Sequence, residues 1–221
     1  MYYEYRTYLM RLGEEDNYIN TLLEWRTAAQ ERGHDFKVFG PFKTMIGEEN
    51  EVSYFFLWDS LAALEKAWTD IYKDEELLKV GLPWWEREEK EGPLMIKVDS
   101  ELLQLMSDEP PIEHKADLIY EYRVYTFKTS EKHRMSVDGG LAGFFALVTK
   151  YGFKTFGPFK PKFGCENQMS YFFIWESLAD REKAYEAFAN DPDIDKTSWY
   201  VREQNEGPLR TSCVSKLMKS V

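Results

Sequence analysis

Along the first ten residues the side chains alternate in character. Tyr3, Tyr5, Thr7 and Leu9 fall on one side and Glu4, Arg6 and Tyr8 on the other, the period of two that a strand between two environments requires. The period then lengthens. Tyr18, Leu22, Trp25 and Ala29 recur at helical spacing and predict a helix with one apolar stripe. A short second strand is expected near Phe36–Val38, interrupted by Gly40-Pro41-Phe42 as suits an edge strand with a bulge. Val52 to Trp58 is apolar on both faces, the pattern of a central strand covered on both sides. Ser60 can cap a following helix with the stripe Leu61, Leu64, Trp68 and Ile71, and Gly92-Pro93 opens a last strand after a further short helix.

The whole pattern then occurs a second time. A shift of 117 residues places Tyr3-Glu4-Tyr5-Arg6 on Tyr120-Glu121-Tyr122-Arg123, and Phe36 to Trp68 on Phe153 to Tyr185 with 21 identities in 33 positions. Phe39-Gly40-Pro41-Phe42-Lys43 recurs unchanged at Phe156 to Lys160, and the shift falls to 115 where Glu91-Gly92-Pro93-Leu94 meets Glu206-Gly207-Pro208-Leu209. Between the copies, Asp108-Glu109-Pro110-Pro111 is stiff and cannot continue a helix. The expected organisation is therefore one α+β unit over residues 1–106, a Pro-containing linker over 107–117, and a second unit over 118–221. The order βαββαβ is that of the ferredoxin-like fold, with helices on one face of the sheet. The open faces of two tandem sheets are expected to pack on each other and close an intrachain barrel, a pseudo-dimer within one chain.

Composition narrows the function classes. Fifteen Phe, 14 Tyr and 7 Trp let small units bury large areas without disulfides. Only Cys165 and Cys213 occur, at unmatched positions, so a disulfide framework is not expected and a reducing, cytoplasmic setting fits. The opening Met1 to Arg6 reads as a strand and not as a signal peptide, and no apolar run approaches the length that spans a bilayer. A formal charge of −11 disfavours nucleic acid and anionic membranes as partners. There is no Gly-rich phosphate loop and no Cys/His cluster, so neither a nucleotide cofactor nor a metal is expected.

Three features together resemble NIPSNAP domains of the dimeric α/β-barrel superfamily: Tyr-Glu-x-Arg-x-Tyr at Tyr3–Tyr8 and Tyr120–Tyr125, the Gly-x-x-Asn turn at Gly47–Asn50 and Gly164–Asn167, and the aromatic strand ending in Trp-acid-Ser-Leu-Ala. The resemblance covers nearly the whole chain, twice. It implies a barrel that single-domain relatives form by dimerising, and kinship with cofactor-free monooxygenases, isomerases and haem-degrading barrels. One departure matters: the family's His after the Asn turn is replaced by Tyr54 and Tyr171.

Candidate chemistry centres on the duplicated polar residues. With Tyr3 and Tyr5 taken to face the helices, Glu4, Arg6 and Tyr8 point into the barrel, as do Glu121, Arg123 and Tyr125. The arginines could hold an anionic substituent and the carboxylates move a proton with a pKa raised by burial; alternatively each Glu-Arg pair fixes strand register as a structural ion pair. Tyr54 and Tyr171 could donate a proton to a developing enolate or phenolate oxygen, or pack in the core. Asn50 and Asn167 could satisfy their own turns; kinship with related oxygenases instead implies that they, with Trp58 and Trp175, position substrate. The first helix differs most between the copies. Under the 117-residue shift its stripe becomes Met135, Gly139, Ala142 and Ala146, and the glycines around Gly139 either delay the helix or open a pocket. The histidines His34, His114 and His133 are unmatched and expected at the surface; haem binding would need His34 or His133 in the cavity.

The expected function is binding of a small aromatic or apolar carbonyl-containing metabolite, open to cofactor-free enzyme chemistry. The competing expectation is a non-enzymatic interaction protein with a side-chain-filled barrel and an outer patch at Trp84-Trp85 or Trp199-Tyr200. Further homo-oligomerisation is left open.

Overall fold

The structure, a computed structural model, describes residues 1–34, 36–106, 114–129, 140–192 and 194–221. The chain divides into two compact units, Met1–Leu103 with Val221, and Gln104–Ser220.

Unit one runs β1 Tyr2–Met10, α1 Glu15–Glu31, β2 Lys37–Ile46, β3 Glu51–Trp58, α2 Leu61–Lys73, α3 Glu75–Leu78, α4 Leu82–Glu91 and all but the last two residues of β4 Met95–Leu105. β3 lies antiparallel between β1 and β2. The second strand is longer than its sequence suggested. The Gly40-Pro41-Phe42 interruption shifts the register between Phe39 and Phe42, and pairing resumes with Phe42 opposite Ser53. Gly40, at a φ of 113°, supplies the bend. Ser60 caps α2 by accepting from the Ala63 N–H, and Asp74 does the same for α3 through Leu77.

Unit two repeats the plan with β5 Ile119–Phe127, α5 Gly140–Thr149, β6 Lys154–Pro161, β7 Gln168–Trp175, α6 Leu178–Ala189, α7 Ser198–Glu206 and β8 Arg210–Ser220. Its strands lie in the antiparallel order β8-β5-β7-β6. Ser177 caps α6 and Thr197 caps α7.

The two faces of each sheet are reversed from the sequence expectation. Tyr8 packs on Tyr18 of α1 with ring centroids 4.9 Å apart, and Trp58 on Trp68 of α2 at 6.2 Å. The face bearing Glu4, Arg6 and Tyr8 therefore lies under the helices. Tyr3 and Tyr5 stand on the opposite face, where they pack on Phe55. Unit two follows suit: Glu121 and Arg123 meet α6, whereas Tyr120 and Tyr122 pack on Phe172. The physical reason is partner supply. A buried carboxylate needs donors, and the helices provide Trp68 in one copy and Arg181 and Tyr185 in the other. The helix-free faces offer aromatic rings.

The first helices align by a different shift from the strands. Gly33 and Gly152 both end a helix at positive φ, and the His34 N–H reaches the Ala29 carbonyl as the Phe153 N–H reaches that of Val148. These matches set the helix shift at 119, because copy one carries two more residues in the turn. Trp25 thus answers to Phe144 and Ala29 to Val148, which corrects the pairing of Ala29 with Ala146. Gly139 lies outside the described residues.

One backbone feature is tightly constrained. A Cβ on Gly157, at a φ of 121°, would sit 2.9 Å from the Tyr171 Cβ and 3.1 Å from its Cα. Gly157→Ala is expected to cost about 3 kcal/mol, since neither the dihedral nor the neighbouring backbone can yield cheaply. Gly152→Ala, with nothing near its Cβ, should cost only about 1 kcal/mol. Equal denaturation midpoints for the two variants would contradict this.

Among the described residues no helix is long and apolar enough to cross a membrane, and no three His, Cys, Asp or Glu side chains are grouped as a metal site. Both cysteines are free and exposed. His34 is not a solvated surface residue: its Nε2 lies 2.9 Å from Asp74 Oδ2, an oxygen that also accepts from Arg32 Nε at 2.6 Å. That tie occupies the Nε2 of His34 at Asp74. His114 Nε2 lies 2.6 Å from the Ser220 hydroxyl. His133 lies outside the described residues.

A candidate ligand cavity in unit two

In both units β1 or its counterpart places a carboxylate, an arginine and a tyrosine on the helix side, opposite an aromatic residue and a tyrosine of the central strand. Arg6 is in register with Tyr54 and Arg123 with Tyr171. The tyrosine pairs are nearly the same object. Tyr8 and Tyr54 stack at 5.5 Å and 13° with hydroxyls 2.8 Å apart; Tyr125 and Tyr171 stack at 5.6 Å and 17° with hydroxyls 3.1 Å apart. What lies over the pair differs.

Unit one is filled there. The Tyr18 ring from α1 packs between Tyr8 and Trp84, and its hydroxyl interacts with those of Tyr8 and Tyr54. Trp25 stacks on Phe36 beside it. In unit two the corresponding space is a cavity of about 700 Å³, within the usual range for ligand sites. Among the described residues its walls are aromatic and aliphatic: Phe144 and Val148 from α5, Phe153, Phe173, and Phe188 from α6. Polar groups converge at one end, where Arg123, Tyr125, Tyr171 and Tyr185 line it. Thr197, Tyr200, Glu203 and Arg210 line it from α7 and the start of β8.

Glu121 sits behind this floor with 1% of its surface exposed. It accepts from Arg123 Nη1 at 2.7 Å, Arg181 Nε at 2.8 Å and Nη2 at 3.1 Å, the Tyr185 hydroxyl at 3.0 Å and Trp175 Nε1 at 3.2 Å. Burial alone would push its carboxyl up, but the bonds and charges of Arg181 and Arg123 outweigh burial and hold it below the ordinary range. A carboxylate so saturated and so acidic is not a general base, which corrects the proton-moving role expected for Glu121. Its work is to fix Arg123, whose Nε donates to the Tyr125 hydroxyl at 3.1 Å and whose Nη2 points to Cys213 Sγ at 3.4 Å. Glu4 is likewise committed, accepting from Trp58, Trp68 and Ser100, and is not free to act as a base.

The Tyr125–Tyr171 pair retains a donor. Two hydroxyls carry two hydrogens; one is consumed in the bond between them, and Arg123 brings its own. The second hydroxyl hydrogen has no acceptor among the described residues. Burial, first of all, pushes the Tyr171 hydroxyl far above the ordinary tyrosine range, so it stays protonated at neutral pH. The cavity floor therefore presents donors, suited to a carbonyl, phenol or oxyanion, as in an oxyanion hole.

Of the residues singled out from sequence, Arg123, Tyr125 and Tyr171 line this cavity. Arg6, Tyr8 and Tyr54 form the matching floor in unit one beneath Tyr18. The other described residues among them do not line it. Trp175 and Trp58 turn their indole N–H groups to Glu121 and Glu4. Asn167 bonds through Nδ2 to the Phe127 carbonyl at 2.6 Å, and Asn50 bonds likewise to that of Met10. Both asparagines tie their turns to the first strand, so neither orients a substrate in the cavity. Trp84 is buried against Tyr18, while Trp85 is 46% exposed. Arg181, Tyr185 and Arg210 were not foreseen. Their signal was the difference between copies: they replace Leu64, Trp68 and Met95 at otherwise matched positions.

The NIPSNAP family model matches residues 3–109 and 120–210. No curated protein matches the sequence significantly. Among solved structures, a Lactobacillus acidophilus protein provisionally assigned as a monooxygenase is 10% identical, with a TM-score of 0.63 over 98% of this chain and 92% of its own. A Fusobacterium nucleatum protein with the same provisional assignment is 6% identical, with a TM-score of 0.64 over 99% and 91%. An anthrone oxidase-like protein is 14% identical, with a TM-score of 0.58 over 100% and 91%. These likenesses establish a shared fold.

Proposed function

Because the chain belongs to the NIPSNAP family, whose domain it carries twice, we propose that its two copies have divided their roles: unit one is a filled structural copy, and unit two binds a small aromatic ligand bearing an oxygen acceptor. The observation that carries this is the cavity of about 700 Å³ over Arg123, Tyr125 and Tyr171, at a place where unit one holds Tyr18. Apolar walls with a few convergent donors are the ordinary makeup of a ligand site. Among the described residues the floor supplies donors and no free base, so it favours binding and polarising an oxygen over abstracting a proton. As part of the same proposal, each copy is a ferredoxin-like unit with helices on one face of its sheet.

The direct test is calorimetric titration with 2-acetonaphthone, an aromatic ketone without a hydroxyl. One molecule per chain is expected to bind. Ala146→Trp, at an exposed position that lines the cavity, should weaken binding at least about tenfold by occupying the space, the equivalent of about 1.4 kcal/mol. No binding, or unchanged affinity in the variant, would count against a ligand site in unit two.

A further inference from the structure

The two copies let the ligand's chemistry be read from the protein itself. The floors match in ring separation, ring angle and hydroxyl contact, and each arginine stands in the same register with the central tyrosine. In unit one the space above the floor holds a phenol, the Tyr18 side chain, its ring tilted 37° against Tyr8 at 4.9 Å and its hydroxyl interacting with those of both floor tyrosines. Unit two keeps the floor, but the sequence has no Phe, Tyr or Trp from Lys128 to Gly143.

We propose that unit one is the occupied image of unit two: the Tyr18 ring marks where unit two takes its ligand, and that ligand is a phenol whose ring lies on Tyr125 and whose oxygen bonds to the Tyr125–Tyr171 hydroxyl pair.

This deepens the assignment of unit two as a ligand site and rests on it. Two further observations agree. First, Arg6 Nε is buried without a hydrogen-bond partner, whereas Arg123 Nε donates to Tyr125. In unit one the Tyr8 hydroxyl is bonded to Tyr54 and interacts with Tyr18, and the arginine Nε does not donate to it. An arriving phenol would compete for Tyr125 in the same way. Second, the hydroxyl hydrogen of the Tyr125–Tyr171 pair that has no acceptor among the described residues can be taken by a phenol oxygen, whose own O–H can donate back to the pair. The cavity is much larger than one ring, so the phenol should be part of a fused or extended aromatic body lying along Phe144, Phe153 and Phe173.

The experiment compares 2-naphthol with 2-methylnaphthalene, which has a similar shape but no hydroxyl, by calorimetry on the full chain. 2-Naphthol is expected to bind about tenfold more tightly or better, as one or two hydrogen bonds to a buried polar floor should give. The preference should collapse in Tyr171→Phe, which keeps the ring and removes the hydroxyl. Tyr125→Phe serves as the second variant should the first fail to fold. If 2-naphthol shows no advantage while 2-methylnaphthalene or 2-acetonaphthone still binds, the phenol assignment is overturned and the cavity remains a ligand site. If no aromatic compound binds, both fall. A preference for 2-naphthol that persists in both phenylalanine variants would also overturn the assignment, because the hydroxyl would then be recognised elsewhere.

Discussion

Glu121→Ala is expected to lower the stability of the protein by about 3 kcal/mol, the cost of leaving two partly buried cations without their counter-ion. The carboxylate is almost fully buried between Arg123 and Arg181, and both guanidinium groups lose their charged partner at once. Tyr185 and Trp175 each lose an acceptor as well. Glu4→Ala should cost less, about 1–3 kcal/mol, because its close donors are the neutral Trp58, Trp68 and Ser100 and Arg6 stands off at 3.7 Å. The pH dependence follows from the depressed carboxyl of Glu121. Its contribution is fully present above the unfolded carboxylate value of about 4.3 and is lost as pH falls through the lower folded value. Glu121→Gln should therefore flatten the acid limb of a stability–pH curve relative to the parent. Urea denaturation between pH 7 and pH 3 would measure both effects. Equal costs for Glu121→Ala and Glu4→Ala would show that the Arg123–Glu121–Arg181 cluster does not act as a buried ionic unit.

Tyr18→Ala is expected to lose about 3–5 kcal/mol, as buried aromatic-to-alanine changes do when the site cannot collapse. Tyr18 is held by Tyr8, Trp84 and the hydroxyls of the floor, all of them fixed by the sheet or α4, so collapse should be incomplete. The vacated space should then accept 4-methylphenol, the tyrosine side chain without its backbone, and recover part of the lost stability in a concentration-dependent way. Toluene should recover less, since it fills volume but leaves the Tyr8–Tyr54 pair without its third hydroxyl. Thermal melts of parent and variant with each compound would decide. Equal rescue by toluene would mean that only volume matters in unit one, and would remove it as a guide to the chemistry of unit two.

Much of the fold was legible because the same pattern occurs twice. Helix and strand periods that would be ambiguous in one copy are repeated at a fixed offset, and the capping residues Ser60 and Ser177 fall at matched places. Which face of the sheet meets the helices was not legible. Both faces of β1 carry tyrosines, so alternation separates the residues into two sets without saying which set is covered by what. The deciding partners, Arg181 and Tyr185, lie 60 and 64 residues from Glu121, and no local pattern reports them. The cavity was partly legible. The first helix of the second copy stood out as the place where bulk is lost, and Arg123, Tyr125 and Tyr171 were among the residues singled out. The remaining walls come from scattered positions on α5, α6, α7 and β8, where only a copy-to-copy comparison marks them.

The two extra residues in the turn after α1 reach further than the turn. On a helix of 3.6 residues per turn, an offset of two positions is a rotation of about 200°. An aligner that carries the strand offset across this turn will therefore set residues from opposite sides of the first helix in one column. When relatives of this chain are compared, that helix will look variable even where every ring keeps its place against the sheet. Columns should instead be counted back from Gly33 and Gly152. Read from those glycines, substitutions opposite Trp25 and Phe144 would distinguish relatives that keep a vacant cleft from those that have plugged it with a side chain of their own.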